Sequence, residues 1–226
     1  IQASDPIEVK SDLLKLNIDE QGAVVTRAEL LKEQQQAEWT EVGLAGKILG
    51  NEAPKLNNIV MFDVTPKHVY VAQSGLIGGD FPNHKSPFKY VGTKVEKKLD
   101  AEQNKTVNFT TATFESTQGS VTLRKSYELI DGRYGITVRD EVINNGEVAI
   151  KPSIYYQLTR DDAKPEGESS FYYTYTGPAI YTDEDKFQKI AFDDIGEQPD
   201  HLTKSNNGWV AMIQHYFVSA WTDVKG

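Results

Sequence analysis

The chain has 226 residues and no cysteine. This absence excludes disulfides, catalysis by a thiol and metal sites built on thiolates, although it does not fix the cellular compartment. Long apolar runs are missing too. The longest covers five residues, 209–213, whereas a membrane-spanning helix needs about 20. The sequence therefore predicts no transmembrane segment within these residues.

Positive charge is scarce, since 24 Lys and Arg stand against 33 Asp and Glu and give a net charge of −9. Nucleic acids are bound by basic surfaces, so we expect no nucleic-acid partner. The chain opens on Ile1 without Met or an apolar stretch, which does not fit a signal peptide. We expect a mature or excised piece of a larger protein.

Alternation of apolar and polar residues is the dominant pattern, and it predicts β-strands. In the clearest example one face carries Val121, Leu123, Lys125, Tyr127 and Leu129. Asp131-Gly132 then predicts a tight type I′ turn into a return strand that ends at residues 144–146. Residues 148–158 are predicted as a third strand of this meander, with Pro152 indicating an edge or a bulge.

About a dozen such segments along the chain predict a single all-β domain, an antiparallel sandwich. Helix signals are few. Residues 32–42 have helix-forming composition without an apolar stripe, and residues 182–185 could cap a short helical turn over 187–190. Turn-rich stretches at 47–58, 78–87 and 161–169 are predicted as surface loops.

Signals for catalysis or metal binding are weak. The four histidines are dispersed, at positions 68, 84, 201 and 215, and none has another at a ligand spacing. The acidic stretch 161–168 lacks the pattern of a calcium loop, and Pro165 interrupts it. Neither a phosphate-binding glycine loop nor a nucleophile elbow is present. We therefore predict no catalytic residue, no cofactor and no metal.

The C-terminal third is rich in aromatic residues, among them those at positions 171, 172, 173, 175, 181, 187, 209, 216, 217 and 221. Some of these side chains must pack in the core, and others could form a binding surface with large contact area. Our candidate residues for partner or peptide binding are Tyr172, Tyr181 and Phe187.

Four stretches carry a resemblance to a known family. They are 9–18 (VKSDLLKLNI), 69–76 (VYVAQSGL), the hairpin region 123–146 and 208–221, which begins GWVAMIQHYF. In this order and spacing they resemble the periplasmic domain of YidC-type membrane-protein insertases of Gram-negative bacteria. The resemblance covers residues 7–221. Residues 32–64 depart from it, because this segment is longer and richer in Gln than the family pattern.

The resemblance implies a β-super-sandwich like that of galactose mutarotases, forming one domain over residues 1–226 that lacks its last C-terminal strands. It implies a location on the periplasmic side of the inner membrane, anchored by segments outside this chain. It also implies a non-enzymatic role in membrane-protein insertion and folding, with the SecD–SecF part of the Sec translocon and incoming membrane proteins as partners.

A mutarotase-like sandwich could instead bind carbohydrate or act as an aldose epimerase, which needs a His acid and a carboxylate base. Residues 215–218 imitate the His-containing run of such enzymes, but the expected Asn is absent. We interpret the neighbours of His215 as a strand or helix that packs Tyr216 and Phe217. Fold likeness alone does not transfer the activity.

Overall fold

The computed structural model describes residues 5–36, 56–163, 175–197, 205–214 and 216–223. Fourteen strands and one short helix lie in these ranges. They are β1 (Ile7–Lys10), β2 (Leu14–Asp19), β3 (Val24–Gln36), β4 (Leu56–Thr65), β5 (His68–Ile77), β6 (Lys89–Asp100), β7 (Lys105–Gln118), β8 (Val121–Ile130), β9 (Ile136–Asn144), β10 (Ser153–Arg160), β11 (Gly177–Thr182), β12 (Lys186–Lys189), α1 (Phe192–Glu197), β13 (Trp209–Gln214) and β14 (Phe217–Thr222).

Antiparallel pairing joins these strands into three sheets. A six-stranded sheet has the order β1-β2-β3-β4-β5-β10, a four-stranded meander has the order β6-β7-β8-β9, and a small sheet has the order β12-β11-β13-β14. The predicted all-β, antiparallel class is confirmed. No helix among the described residues is both long and apolar enough to cross a membrane.

The main core lies between the six-stranded sheet and the meander. β2 alternates strictly between buried and half-buried residues, and its Leu16 and Ile18 are completely buried. From the meander, Phe114, Leu123 and Leu129 pack into the same cluster. Each fully buried apolar side chain of this kind contributes about 1.5–3 kcal/mol. The predicted apolar face of residues 121–129 is therefore the core face of β8.

The turn between β8 and β9 differs from the prediction. A type I′ turn needs a positive φ at both central residues. At 131–132 only Gly132 has one, at +81°, and the Arg133 N–H donates to the Ile130 carbonyl at 3.1 Å. A positive φ at the second central residue alone is the pattern of a type II turn. The loop from β8 to β9 then runs on to residue 135.

The predicted third strand of the meander over residues 148–158 is wrong in both extent and partner. β10 begins at Ser153, directly after Pro152, and pairs with β5 in the six-stranded sheet. Proline lacks the N–H that a ladder requires, so the strand starts only after it. The edge position that Pro152 indicated is confirmed, because β10 ends its sheet.

Neither segment with helix signals is helical where it is described. Residues 32–36 continue β3, and Gln34 to Gln36 pair with residues 56–58 of β4, so both ends of the Gln-rich segment 32–64 belong to the sheet. Residues 186–189 form β12. The Thr182 hydroxyl does accept a hydrogen bond from the Asp185 N–H at 3.0 Å, but Lys186 has a φ of +56° and reverses the chain into a hairpin. The described helix lies further on, in α1.

The segment 208–217 is not one continuous strand or helix. Gln214 pairs with Phe217, so β13 and β14 form a hairpin. Tyr216 has a φ of +68° and is 90% exposed. His215 itself lies outside the described residues.

Candidate docking surface

The small sheet positions an aromatic row that runs across three of its strands. Tyr181 pairs with Phe187 on β12 and with Trp209 on β13. Directly opposed residues of antiparallel strands point to the same face, so the three rings lie side by side. The Tyr181 and Trp209 rings stack, with centroids 5.7 Å apart and planes at 12°, and the Phe187 ring lies 6.0 Å from Trp209.

This aromatic row (Tyr181, Phe187 and Trp209) points away from the main core. Residues alternate between the faces of a strand, and the neighbouring positions Met212, Phe217 and Trp221 are on the opposite face and pack against the core cluster. The outer face keeps solvent contact, since Phe187 is 47% exposed and Tyr181 and Trp209 are half-buried. Stacked, partly exposed aromatic rings are typical anchors of protein interfaces.

Acidic side chains flank the aromatic row. The β11–β12 turn carries Asp183, Glu184 and Asp185, all exposed. The Asn207 side chain donates a hydrogen bond to Asp183 and so ties the segment before β13 to this turn. An apolar row beside a carboxylate cluster suits a partner segment that offers an apolar side chain next to basic residues.

Two of the three predicted site residues are therefore brought together, namely Tyr181 and Phe187. Tyr172 lies outside the described residues, as do Phe171 and Tyr173. Tyr175 is structural, because the Ile190 N–H donates to its hydroxyl at 3.1 Å and the Lys189 ammonium lies 4.7 Å from its ring centroid. Sequence reasoning missed Trp209 as a member of the site. Trp209 lies three positions before Met212 on β13, so the two side chains point to opposite faces of the strand. This alternation was the signal that could have identified Trp209 as a residue of the outer face.

A second feature is an apolar cleft of about 460 Å³ on the other face of the small sheet. Its walls come from the six-stranded sheet, the meander and β14, and they include Leu30, Phe62, Val138, Leu158, Phe217 and Trp221. At its edge the exposed Tyr134 hydroxyl donates to the Glu33 carboxylate at 3.0 Å, which links the β8–β9 loop to β3. This volume is in the range of small-molecule or side-chain pockets.

Several polar groups that line the cleft already have partners within the chain. The Tyr127 hydroxyl donates to the Ala23 carbonyl at 2.5 Å, and the Ser219 hydroxyl is hydrogen-bonded to Tyr70. Burial raises the pKa of Tyr70 to about 12, against the lowering effect of its bond to Ser219, so this hydroxyl is neutral at ordinary pH. A sugar needs several converging hydrogen-bonding groups, whereas this lining favours an apolar occupant.

The described histidines do not form the acid–base arrangement of an epimerase in the cleft. His68 contacts the Asp161 carboxylate directly at 2.8 Å, at the junction of β5 and β10, and neither residue lines the cleft. His84 is hydrogen-bonded to the Tyr155 hydroxyl. His201 and His215 lie outside the described residues. Across the described ranges no group of three His, Asp or Glu side chains could hold a metal ion.

Comparison with known proteins shows which family the chain resembles over most of its length. A family model described as the YidC periplasmic domain matches residues 49–225. Proteins named membrane protein insertase YidC are 39% identical in Janthinobacterium sp. (strain Marseille), 38% in Bordetella petrii and 37% in Ralstonia nicotianae. These alignments cover 96%, 98% and 97% of the chain but only 35%, 36% and 35% of the relatives. The chain thus spans about a third of the length of these curated relatives.

Proposed function

The chain belongs to the YidC periplasmic domain family, and from this membership we propose that it is the non-catalytic docking module of an inner-membrane protein insertase. In this proposal the domain lies on the periplasmic side, and the insertion chemistry belongs to membrane segments outside these 226 residues. The module helps to integrate and fold membrane proteins, with and without the Sec translocon.

The aromatic row is the observation that carries this proposal. Stacked, partly exposed rings that point away from the main core contribute little to it, whereas they offer a partner preformed apolar area. Together with Tyr172 from the sequence prediction, we assign Tyr181 and Phe187 to the contact with the SecD–SecF part of the translocon. The neighbouring acidic turn favours a basic segment of that partner.

Cross-linking tests the assignment. A photoreactive residue placed at Lys189, on the same face as Phe187, is compared in the full-length protein with and without Tyr172→Ala and Tyr181→Ala together. We expect the yield of cross-links to Sec partners to fall about tenfold, which corresponds to roughly 1.4 kcal/mol of binding free energy. Val148→Ala is the control, because Val148 is 78% exposed and belongs neither to the aromatic row nor to the lining of the apolar cleft. An unchanged yield in the double variant contradicts the assignment.

The apolar cleft supports a second, separable role in holding an apolar stretch of an incoming membrane protein. Trp221 lines this cleft, so its fluorescence can report occupancy. In a background with both Trp39→Phe and Trp209→Phe, Trp221 is the single tryptophan. There we expect a leucine-rich peptide with lysine ends to change the Trp221 emission, and Leu158→Arg to abolish that change. Binding of an aldose panel without binding of the peptide would instead favour the carbohydrate-binding alternative.

A further inference from the structure

The meander ends in a long, exposed strand edge. β6 (Lys89–Asp100) is the first strand of the four-stranded sheet, and β7 is its only neighbour in the part of the chain that the structure describes. Val95 is 59% exposed and Leu99 is 65% exposed. A long edge with apolar side chains is a template on which another strand can pair.

The two faces of β6 differ in chemistry. Val95 pairs with Thr110, which pairs in turn with the buried Leu129, so Val95 extends the apolar core face beyond the core. The opposite face carries Lys94, Glu96 and Lys98. There the Glu96 carboxylate lies 2.7 Å from the Lys94 ammonium and 2.8 Å from that of Lys98.

We propose that β6 pairs antiparallel with β6 of a second copy of this chain, about a two-fold axis through Val95. This register places Val95 against Val95 on one face. On the other face it places Lys94 against Glu96 of the second copy, twice by symmetry. Lys97 meets the neutral Thr93. The two meanders then form one continuous eight-stranded sheet.

Charge selects this register from its alternatives. Directly opposed residues of antiparallel strands share a face, so the two-fold axis must pass through a residue and not between two. An axis through position 94 or 97 sets a lysine against itself, and one through position 96 sets a glutamate against itself. Like charges directly opposite each other destabilise a strand pair. Of the central positions 94–97, only Val95 avoids such a clash.

The absence of cysteine makes a direct test possible, because an introduced thiol is unique. In the proposed register the two residues at position 95 have Cα atoms about 4.5–5.5 Å apart, within the span of a disulfide. Residues at position 97 are offset by four positions along the strands, or about 13 Å. Under mild oxidation we expect V95C to form a covalent dimer and K97C to stay monomeric. A mixture of T93C and K97C should form the mixed dimer.

Each other outcome of this test overturns the proposal. Equal cross-linking of V95C and K97C indicates random collisions, preferential cross-linking of K97C indicates another register, and no cross-linking of V95C indicates that the edge does not self-pair. Circular dichroism of each variant confirms that it is folded.

Charge reversal provides an independent test on the chain without cysteine. K94E sets two acidic residues opposite each other, so we expect sedimentation to show at least about a fivefold weaker self-association. K94E together with E96K restores opposite charges and should restore association. Dimers that persist unchanged in K94E would overturn the proposal. So would a chain that is monomeric at every concentration, even if its β6 edge bound an extended peptide from another protein.

Discussion

Lys125 and Asp140 lie directly opposite each other on β8 and β9, and both side chains point into the protein. Lys125 is completely buried, and its ammonium donates to the carbonyls of Gly22 at 2.8 Å and Ser74 at 2.7 Å. These carbonyls belong to the β2–β3 turn and to β5. A single buried lysine thus fastens the meander to the six-stranded sheet.

Replacement of this lysine should be costly. Lys125→Met leaves two carbonyls without a donor and removes the positive charge near the half-buried Asp140 carboxylate. A buried polar group left without its partner typically costs about 1–3 kcal/mol, so with two such carbonyls we expect a loss of about 2–6 kcal/mol in the free energy of unfolding by urea. Lys151→Met, at an exposed lysine, should change stability by less than about 0.5 kcal/mol.

The double variant Lys125→Met with Asp140→Asn separates charge from packing. It removes the uncompensated carboxylate, so it should recover part of the stability that Lys125→Met loses. If Lys125→Met costs no more than Lys151→Met, the fastening role of Lys125 is wrong.

Stability should also depend on pH through the same group. Burial lowers the pKa of Lys125 to about 8 from an ordinary value of 10.5, although Asp140 acts in the opposite direction. Between these two values the unfolded chain binds more protons than the folded chain, so the free energy of unfolding rises with pH. The contribution of one proton is at most about 1.4 kcal/mol per pH unit.

Urea midpoints between pH 8 and 9.5 check this expectation, since the tyrosines of the unfolded chain titrate mainly above that range. The wild-type chain should gain stability over this interval relative to Lys125→Met. Parallel pH profiles of the two chains would show that Lys125 is not the titrating group.

Gly22 and Gly119 are a matched pair for testing how closely the 78–87 loop packs against the β2–β3 turn. Both have a positive φ, +76° and +59°, so alanine is strained at either position. A Cβ on Gly22 would clash with the backbone oxygen of His84, whereas nothing lies within 4 Å of one on Gly119. We expect Gly119→Ala to cost about 1 kcal/mol and Gly22→Ala clearly more, because the 78–87 loop must move. Thermal unfolding measures both, and equal costs would contradict the close packing of that loop.

Strands that are marked by a local pattern of apolar and polar residues could be predicted from the sequence. The alternation over 121–129 located β8 and its buried face, even though that face includes Lys125. The partner of β10 could not be predicted, because β5 lies more than 70 residues earlier and its pairing depends on the whole sheet. The β13–β14 hairpin was missed because the sequence between Gln214 and Phe217 contains none of the Gly, Asn or Asp residues that usually mark a turn.

The helix prediction at 182–190 shows how one local contact can serve two structures. The bond from the Asp185 N–H to the Thr182 hydroxyl is the contact expected of a helix cap, and here it closes a hairpin turn. The hairpin prevails because it places Phe187 opposite Tyr181, next to Trp209, a gain that local sequence does not reveal. Density of aromatic residues did locate two members of the aromatic row, but strand pairing was needed to find the third.

The order of strands in the six-stranded sheet has a consequence for how the domain acquires its structure. The meander β6–β9 contains only neighbours in sequence, so it can form as soon as residue 144 has been synthesised. The edge of β5 stays unpaired until β10 has been synthesised, and β10 follows the whole meander in the sequence. Such non-local pairing raises contact order and slows folding. During synthesis, the edge of β5 is therefore unpaired and able to pair with strands of other chains until β10 covers it.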